Sequence, residues 1–399
     1  MTAGPLDDVR VLELGSFIAA PTAGRQLADF GADVVKVERP GDGDELRSWR
    51  LYAGTTSMLF RTINRNKRSV ALDLGAAEGR DAVLRLAANA DVVLENFRPG
   101  RLEAWGLSPE ALTAANPELV VARISAYGQT GPKHAQPGFG AIAEALGGMR
   151  ELTGEPGRTP VRVGVSIGDT LAGMHAAFGV LLALRQRDRR RAEGLPPLPL
   201  AERIVDVALT EAVLSVMESL LPDAGAYGVT RERLGGWTQG IAPSNAYVCR
   251  DSRSVVIAGN GDGIYRRLMG VIGREDLAGR ADLASNALRW EARDELDGAI
   301  TAWTRQHDAA VVVEALDAAG VPASRIATAQ DIVDDEQFIA RGMVQRLPVS
   351  TGTEQLDDVP FPGVVPRVGA EPGRIRTLGP DLGAHTDEVL QQWTHRERR

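Results

Sequence analysis

The stretch VGVSIGDTLAGMHAAFGVLLAL, residues 163–184, decides how this chain is organised. It predicts a short apolar strand, a Gly168-Asp169 corner and a long helix rich in small residues. Asp169 stands alone among apolar and small neighbours at the start of that helix. A carboxylate there can accept the unpaired amides of the first turn and suits the positive end of the helix dipole. It can equally be presented to a substrate as a nucleophile. The stretch itself favours neither interpretation.

The size of the chain, 399 residues, predicts two domains or one large domain with a satellite. A net charge of −8 argues against binding nucleic acid through a basic surface. The single cysteine, Cys249, excludes an intrachain disulfide and a cysteine-based zinc cluster. The N-terminal residues lack the pattern of a secretory signal, and Asp169 and His175 interrupt the most apolar run. We therefore expect a cytoplasmic protein with no membrane contact.

Strands and helices alternate over the first part of the chain, which predicts a parallel α/β sheet. The opening unit is a strand at 9–14, a helix at 19–30 and a second strand at 33–38. A dinucleotide-binding turn of the G-x-G-x-x-G type would follow the first strand, but residues 15–20 read GSFIAA. This argues against a nicotinamide-dinucleotide site. Further strands are expected at 69–74, 91–95 and 119–124, with helices at 79–89 and 109–115.

Basic residues stand close to predicted strand ends at two places. Arg39 comes directly after the second strand, and NRNKR at 64–68 stands beside the strand at 69–74. Such a run is commonly a solvated loop. Alternatively, arginine and lysine bind phosphate, and open α/β sheets bind ligands beyond their strand ends. On these residues alone, both interpretations stay open.

Several motifs together resemble the family III CoA-transferases, the family of formyl-CoA and carnitine-CoA transferases. They occur in order over nearly the whole chain, and ENFRPG at 95–100 with GDTLAGM at 168–174 is the most specific combination. The other matching segments are 11–44, 64–74, VDVALTEAVLS at 205–215, IAPSNAY at 241–247, AGVPASRI at 319–326 and LGAHTDEVL at 382–390.

The resemblance implies an α/β fold and an interlocked homodimer of two ring-shaped chains. In such a fold, a Rossmann-like large domain is built from both chain ends, and a smaller α+β domain comes from the middle. We expect the large domain at 1–200 and 328–399, a linker helix at 201–225 and the small domain at 226–327.

The resemblance also implies that Asp169 is the nucleophile that moves CoA from an acyl-CoA to a free carboxylic acid. The intermediates would be an aspartyl mixed anhydride and an aspartyl-CoA thioester, with no metal and no cofactor besides CoA as substrate. IAPSNAY favours small dicarboxylic acids. Gly235 and Gly236 resemble the active-site loop of the family, here interrupted by Trp237 and Thr238. The residues implied in CoA binding are Phe17, Ile18, Arg39, Asn66, Lys67, Arg68, Leu72, Asn96, Phe97, Arg98 and Arg101.

Two other functions remain as alternatives. The first is an α-methylacyl-CoA racemase, which needs an acid and a base on opposite faces of the α-carbon. Racemases of this fold carry a His-Asp pair in the segment matching 136–141, which here reads QPGFGA. The second is a CoA-binding protein without turnover, against which the position of Asp169 argues.

Overall fold

A sheet of six parallel strands forms the centre of the larger of two units in this chain. The computed structural model describes residues 4–50, 52–53, 56–369 and 373–393. The larger unit comprises 1–150, 162–229 and 336–399, and the smaller unit comprises 151–161 and 230–335.

The strands of the larger unit alternate with helices, as the sequence predicts. Up to residue 208 they are β1 (Arg10–Glu13), β2 (Asp33–Glu38), β3 (Tyr52–Ala53), β4 (Thr56–Ser57), β5 (Lys67–Ala71), β6 (Val92–Glu95), β7 (Val120–Ser125) and β8 (Ile204–Ala208). The order in the sheet is β5-β2-β1-β6-β7-β8, and β3 and β4 form a separate hairpin. The chain therefore builds outward in both directions from β1 and β6. In open α/β sheets, this switch point is where a crevice forms beyond the carboxyl ends of the strands.

Helices cover both faces of the sheet because its central strands β2, β1 and β6 carry buried apolar side chains on both sides. The helices of this part are α1 (Ala19–Asp29), α2 (Met58–Ile63), α3 (Ala77–Ala87), α4 (Arg101–Ala104), α5 (Pro109–Ala115), α6 (Gly140–Leu146), α7 (Met149–Leu152), α8 (Ile167–Ala192), α9 (Leu209–Leu214) and α10 (Leu220–Tyr227). On one face, α1, α8 and α9 share a core with Val11, Val34 and Leu94, and on the other face α3 and α5 pack with Leu12 and Val93.

Two sequence predictions about this part of the chain are wrong. Residues 163–166 form no strand, because Gly164 takes a left-handed φ of 57° and no strand in the described part of the chain pairs with the segment. Asp169 is consequently the third residue of α8 and not a strand-to-helix corner. The segment 201–225 is not a linker helix: its first apolar run is β8, which pairs with β7 as an edge strand of the sheet. Short apolar runs do not distinguish a strand from a helix by periodicity alone.

The smaller unit has its own antiparallel sheet and its own apolar core. Its strands are β9 (Ser244–Val248), β10 (Ser254–Ala258) and β11 (Ala323–Arg325), in the order β11-β10-β9. Buried side chains such as Tyr247, Val255 and Leu296 fill the space between this sheet and its helices. These helices are α11 (Asp262–Val271), α12 (Glu275–Ala278), α13 (Asn286–Glu291), α14 (Arg293–Thr304), α15 (Ala309–Ala318) and α16 (Ala329–Val333).

The last part of the chain returns to the larger unit. It contains α17 (Glu336–Ala340), the hairpin β12 (Val344–Ser350) and β13 (Gln355–Pro362), and α18 (Thr386–Gln392). After α18, the buried Trp393 donates its indole N–H to Asp33 Oδ2 at 3.0 Å. Both ends of the chain thus build the mixed α/β unit with its six-stranded parallel sheet, in agreement with the expected fold class.

Candidate active site

Asn96 joins the two loops that flank the switch point of the sheet. Its Oδ1 accepts from the Ser16 amide at 2.8 Å, and its Nδ2 donates to the Ser16 carbonyl at 2.7 Å. Gly15 permits this contact, since a Cβ there would lie 2.5 Å from Asn96 Oδ1. The amide of Phe97 donates to the buried Glu95 Oε2 at 2.7 Å. The loops after β1 and β6 are therefore held in place where such a sheet binds ligands.

Phe17 adopts a left-handed conformation with a φ of 63°, which is unusual for a bulky residue. Its amide donates to Asp44 Oδ1 at 3.2 Å. Its ring centroid lies 5.2 Å from that of Trp49 and 6.0 Å from that of Phe139, which is 65% exposed. Phe17 therefore belongs to a partly open aromatic cluster. Its neighbour Ile18, also implied in CoA binding, is buried among core side chains.

Two more of the residues implied in CoA binding follow strands directly. Arg39 comes after β2, has a side chain that is 62% exposed, and pairs with Glu45 at 3.0 Å. Leu72 comes after β5 and is half-buried, with its amide bonded to the Glu38 carbonyl at 2.9 Å. Both lie at the carboxyl edge of the sheet, as expected.

An aromatic and basic stack follows β6. The rings of Phe97 and Trp105 meet edge to face with centroids 5.0 Å apart. The Arg101 guanidinium lies 4.6 Å from the centroid of the Trp105 ring. Arg98 donates to the carbonyl of Ala135, with 2.7 Å between Nε and that oxygen. This segment combines a flat apolar surface with two exposed cations, which suits a nucleotide base and its phosphates.

The cluster Asn66 to Arg68 lies elsewhere, and its expected place at a ligand-binding strand end is wrong. β5 begins at Lys67, so the cluster stands at the amino edge of the sheet. Its side chains are engaged by other residues of the protein: Asn66 and Lys67 bond to buried carboxylates, and Arg68 pairs with a partly exposed one. The carboxylate partners of Asn66, Lys67 and Arg68 are Asp29 at 2.8 Å, Glu13 at 2.7 Å and Asp33 at 2.5 Å, respectively.

Asp169 lies against the first residue of α6. A Cβ on Gly140 would fall 2.0 Å from Asp169 Oδ2, so any side chain at this position would displace the carboxylate. A Cβ on Gly168 would fall 3.2 Å from the Gly140 carbonyl oxygen. Two glycines thus bring α6 and α8 close together and place the half-buried carboxylate beside the backbone of α6.

Burial, followed by the negative charge of the nearby Glu144, raises the pKa of Asp169 to about 6, while the positive charge of Arg162 opposes both effects. Glu144 lies on α6, and its side chain is only 1% exposed. Its Oε1 accepts from Arg162 Nη2 at 3.1 Å, and its Oε2 lies 3.6 Å from Arg150 Nε. At neutral pH Asp169 is ionised but weakly solvated, which makes the carboxylate a stronger nucleophile than in water.

Sequence reasoning missed Gly140, Glu144 and Arg162 as neighbours of Asp169. The segment GFGAIAEALGGM at 138–149 does carry a signal: Glu144 is the one acid in an apolar helix. A lone acid of this kind is rarely buried without a role or a partner. Nothing in the sequence, however, connects it to Asp169.

Gly235 and Gly236 have an explanation within the smaller unit. Gly235 takes a φ of 62°, and a Cβ on it would lie 2.7 Å from Glu155 Oε2. A Cβ on Gly236 would lie 2.1 Å from Asn245 Oδ1. The loop continues into Trp237, whose indole N–H donates to Asp297 Oδ2 at 2.6 Å. Local packing requires these glycines, and their role in an active-site loop stays a prediction.

Fold and site together define an α/β protein with a carboxylate beside a glycine at a helix junction, and with exposed basic and aromatic residues at the ligand-binding edge of its sheet. The protein-family model described as CoA-transferase family III matches residues 6–386 of this chain. The chain belongs to this family. It is an enzyme of the CoA-transferase type, which moves CoA between carboxylic acids, and the resemblance seen in the sequence is confirmed.

Several named relatives are similar over most of their length. The chain is 45% identical over 388 residues to a succinyl-CoA–D-citramalate CoA-transferase of Chloroflexus aurantiacus, covering 97% of this chain and 93% of the relative. It is 34% identical to a succinyl-CoA:mesaconate CoA-transferase of Haloarcula hispanica, covering 98% and 96%. Among solved structures, a CaiB/BaiF family protein of Brucella suis superposes with a TM-score of 0.85 at 31% identity, covering 98% of this chain and all of the other.

Proposed function

We propose that this enzyme transfers CoA from succinyl-CoA, or a similar dicarboxylic acyl-CoA, to a second small dicarboxylic acid. The observation that carries this proposal is the 45% identity, over nearly the whole chain, to a transferase named for succinyl-CoA and D-citramalate. Other relatives are named for malate, mesaconate and glutarate, each with a succinyl or succinate partner. The acids in these names share two carboxyl groups.

Asp169 is the nucleophile in the proposed mechanism. A carboxylate oxygen of Asp169 attacks the thioester carbon, the C–S bond breaks, and CoA leaves as a thiolate from a mixed anhydride. The thiolate then attacks the aspartyl carbonyl carbon, which releases the first acid and leaves an aspartyl-CoA thioester. The carboxylate of the second acid attacks this thioester, and the same steps run in reverse. One thioester replaces another, so the exchange needs no oxidant, reductant or external energy source.

CoA occupies the carboxyl edge of the sheet in this proposal. The aromatic surface of Phe97 and Trp105 supports the adenine, and Arg98 and Arg101 lie beside it for the phosphates. Arg39 is the exposed cation after β2 and faces the 3′-phosphate. Phe17 lines the path of the pantetheine arm toward Asp169. The support for this arrangement is that these side chains follow neighbouring strands around the switch point.

The working form in this proposal is an interlocked homodimer in the cytoplasm. By length and composition α8 could cross a membrane, but its small-residue face packs against α1 and the sheet. The opposite face leaves Met174, Phe178 and Leu182 about half exposed or more. A second copy of the chain covers these side chains, with a total interface above about 5,000 Å². Sedimentation at nanomolar concentration tests this: a stable, folded monomer would contradict the proposal.

A trapping experiment tests the proposed mechanism. The protein is incubated with succinyl-CoA and hydroxylamine, digested, and examined by mass spectrometry. Hydroxylamine captures activated carboxyl groups, so we expect a hydroxamate on the peptide that contains Asp169. The same treatment with free CoA and succinate, which lack a thioester, is the control. Turnover of succinyl-CoA with no modification of Asp169 would contradict the covalent route.

A further inference from the structure

Asp169 stands beside an ion-pair group formed by Glu144, Arg150 and Arg162, and together they make a cluster of two carboxylates and two cations within the larger unit. The link is geometric, because a Cβ on Gly168, the residue before Asp169, would fall 3.6 Å from Glu144 Cγ. Glu144 is at the centre of the cluster and is sealed from solvent. Its two arginine partners differ in access, because the side chain of Arg162 is 46% exposed and that of Arg150 is 27% exposed. Arg162 therefore extends from the solvent to the buried carboxylate.

The hydrogen bond between Arg162 Nη2 and Glu144 uses only part of the guanidinium. Arginine carries further N–H groups in a planar fork, which matches a carboxylate in a bidentate arrangement. Within the described part of the chain, Arg162 has no other ion pair. It can thus keep Glu144 neutralised and still donate to a second carboxylate that arrives from solvent.

The charge of the cluster changes during the proposed reaction. In the resting enzyme, the charges of Asp169 and Glu144 balance those of Arg150 and Arg162. Once Asp169 is acylated it is neutral, and the cluster gains a net positive charge. A remote carboxylate on the acyl group restores the balance, whereas a monocarboxylic acyl group leaves a partly desolvated cation uncompensated.

We propose that Arg162 is a specificity-determining residue that binds the remote carboxylate of dicarboxylic substrates beside Asp169. This assignment rests on the proposed function and names the side chain that selects its substrate class. Arg150 is the less suitable partner, because its Nε is buried, without a hydrogen bond among the described residues, and lies 3.6 Å from Glu144. Arg162 combines access from solvent with proximity to the nucleophile.

The test compares two CoA thioesters of equal chain length, succinyl-CoA and butanoyl-CoA, with one acceptor acid held constant. In the wild type we expect a clear preference for succinyl-CoA in kcat/KM. Arg162→Met should lower kcat/KM for succinyl-CoA about tenfold to a hundredfold, the usual worth of a hydrogen bond to a charged group. The kcat/KM for butanoyl-CoA should fall far less, so that the preference for succinyl-CoA collapses. Arg162→Lys should retain part of this preference.

Arg266→Met is the matched control, because Arg266 is an exposed arginine on α11, in the smaller unit and outside the face of α8 that the proposed second copy covers. It should leave both values at the wild-type level. An equal loss with both thioesters in Arg162→Met and Arg162→Lys would overturn the assignment and make Arg162 a structural residue. An unchanged preference of Arg162→Met for succinyl-CoA over butanoyl-CoA would overturn the assignment as well. Wild-type protein that does not use succinyl-CoA would overturn the proposed function itself, which is a separate result.

Discussion

Two charged clusters in the larger unit have similar compositions and opposite characters. One, the sealed network, joins Glu13 to Lys36 and Lys67 beneath the loop after β1, and all three side chains are at most 1% exposed. The other, the open cluster, groups Glu144, Arg150 and Arg162 around Asp169, and part of it reaches solvent. Both contain carboxylates and cations within ion-pair distance, so composition alone does not distinguish them.

The difference lies in how completely the charges are used. In the sealed network, Lys67 Nζ donates to Glu13, to the Pro21 carbonyl and to Asn64, at 2.7 to 2.9 Å. Lys36 Nζ is held equally well, by Glu13, the Gly15 carbonyl and Asp44. A cluster in which each buried ammonium group has three close polar partners fixes geometry, here that of the loop after β1. A cluster with an accessible carboxylate, here that of Asp169, is able to react.

The largest effect on activity is expected from the carboxylate of Asp169 in the open cluster. Asp169→Ala should lower CoA transfer by roughly a thousandfold or more, because no other group can form the covalent bond. Steady-state transfer from succinyl-CoA measures this. Asp188→Ala is the control on the same helix, since Asp188 is exposed and its ion pair within the described residues is with its neighbour Arg187. Near-normal transfer by folded Asp169→Ala protein would contradict the assignment of Asp169 as the nucleophile, and with it the reactive character of the open cluster.

A substitution in the sealed network should reduce the stability of the fold and should affect CoA transfer less directly. Glu13→Gln leaves two buried lysines without their shared carboxylate, and we expect a loss of about 3–5 kcal/mol in the free energy of unfolding. Urea denaturation measures it. The control is Glu45→Gln at the exposed pair with Arg39, which should cost at most about 1 kcal/mol. Equal, small losses for both variants would mean that the network is not a structural support.

Arg39 tests whether an exposed charge at the sheet edge serves a ligand. Arg39→Ala should weaken the binding of CoA by about tenfold to a hundredfold, because a charge-assisted bond to phosphate is worth about 1.5–3 kcal/mol. The binding of dephospho-CoA, which lacks the 3′-phosphate, should change less. Calorimetric titration of both ligands provides the comparison. An equal loss for the two would move Arg39 away from the 3′-phosphate.

The smallest effect concerns the pH dependence of transfer. Burial and Glu144 raise the pKa of Asp169 to about 6, so the reactive carboxylate is lost as the pH falls through that value. Glu144→Gln removes a neighbouring negative charge and should lower the pKa of Asp169. The acid limb of the kcat/KM profile should therefore move to lower pH. A limb that stays in place or moves to higher pH would show that Glu144 does not act on Asp169 through its charge.

Much of the fold could be predicted because its signals are local. The strand Asp33–Glu38 and the helix Pro109–Ala115 have the predicted bounds, and the other early elements agree within a few residues. The strand β8 was missed because its apolar run is compatible with a helix until β7 is there to pair with it. The placement of Asn66 to Arg68 failed for a related reason: the sequence shows a basic cluster but not the buried acids that face it.

The sequence by itself determined the family, the alternation of strands and helices, and the isolated acid at the start of the longest helix. These depend on residue order and apolar periodicity, which act over a few neighbouring positions. Only the tertiary structure decided which charges are sealed and which stay accessible. It placed Glu144 and Arg162 beside Asp169 and buried Lys67 against Glu13, because solvation depends on the residues that folding brings together from distant parts of the chain.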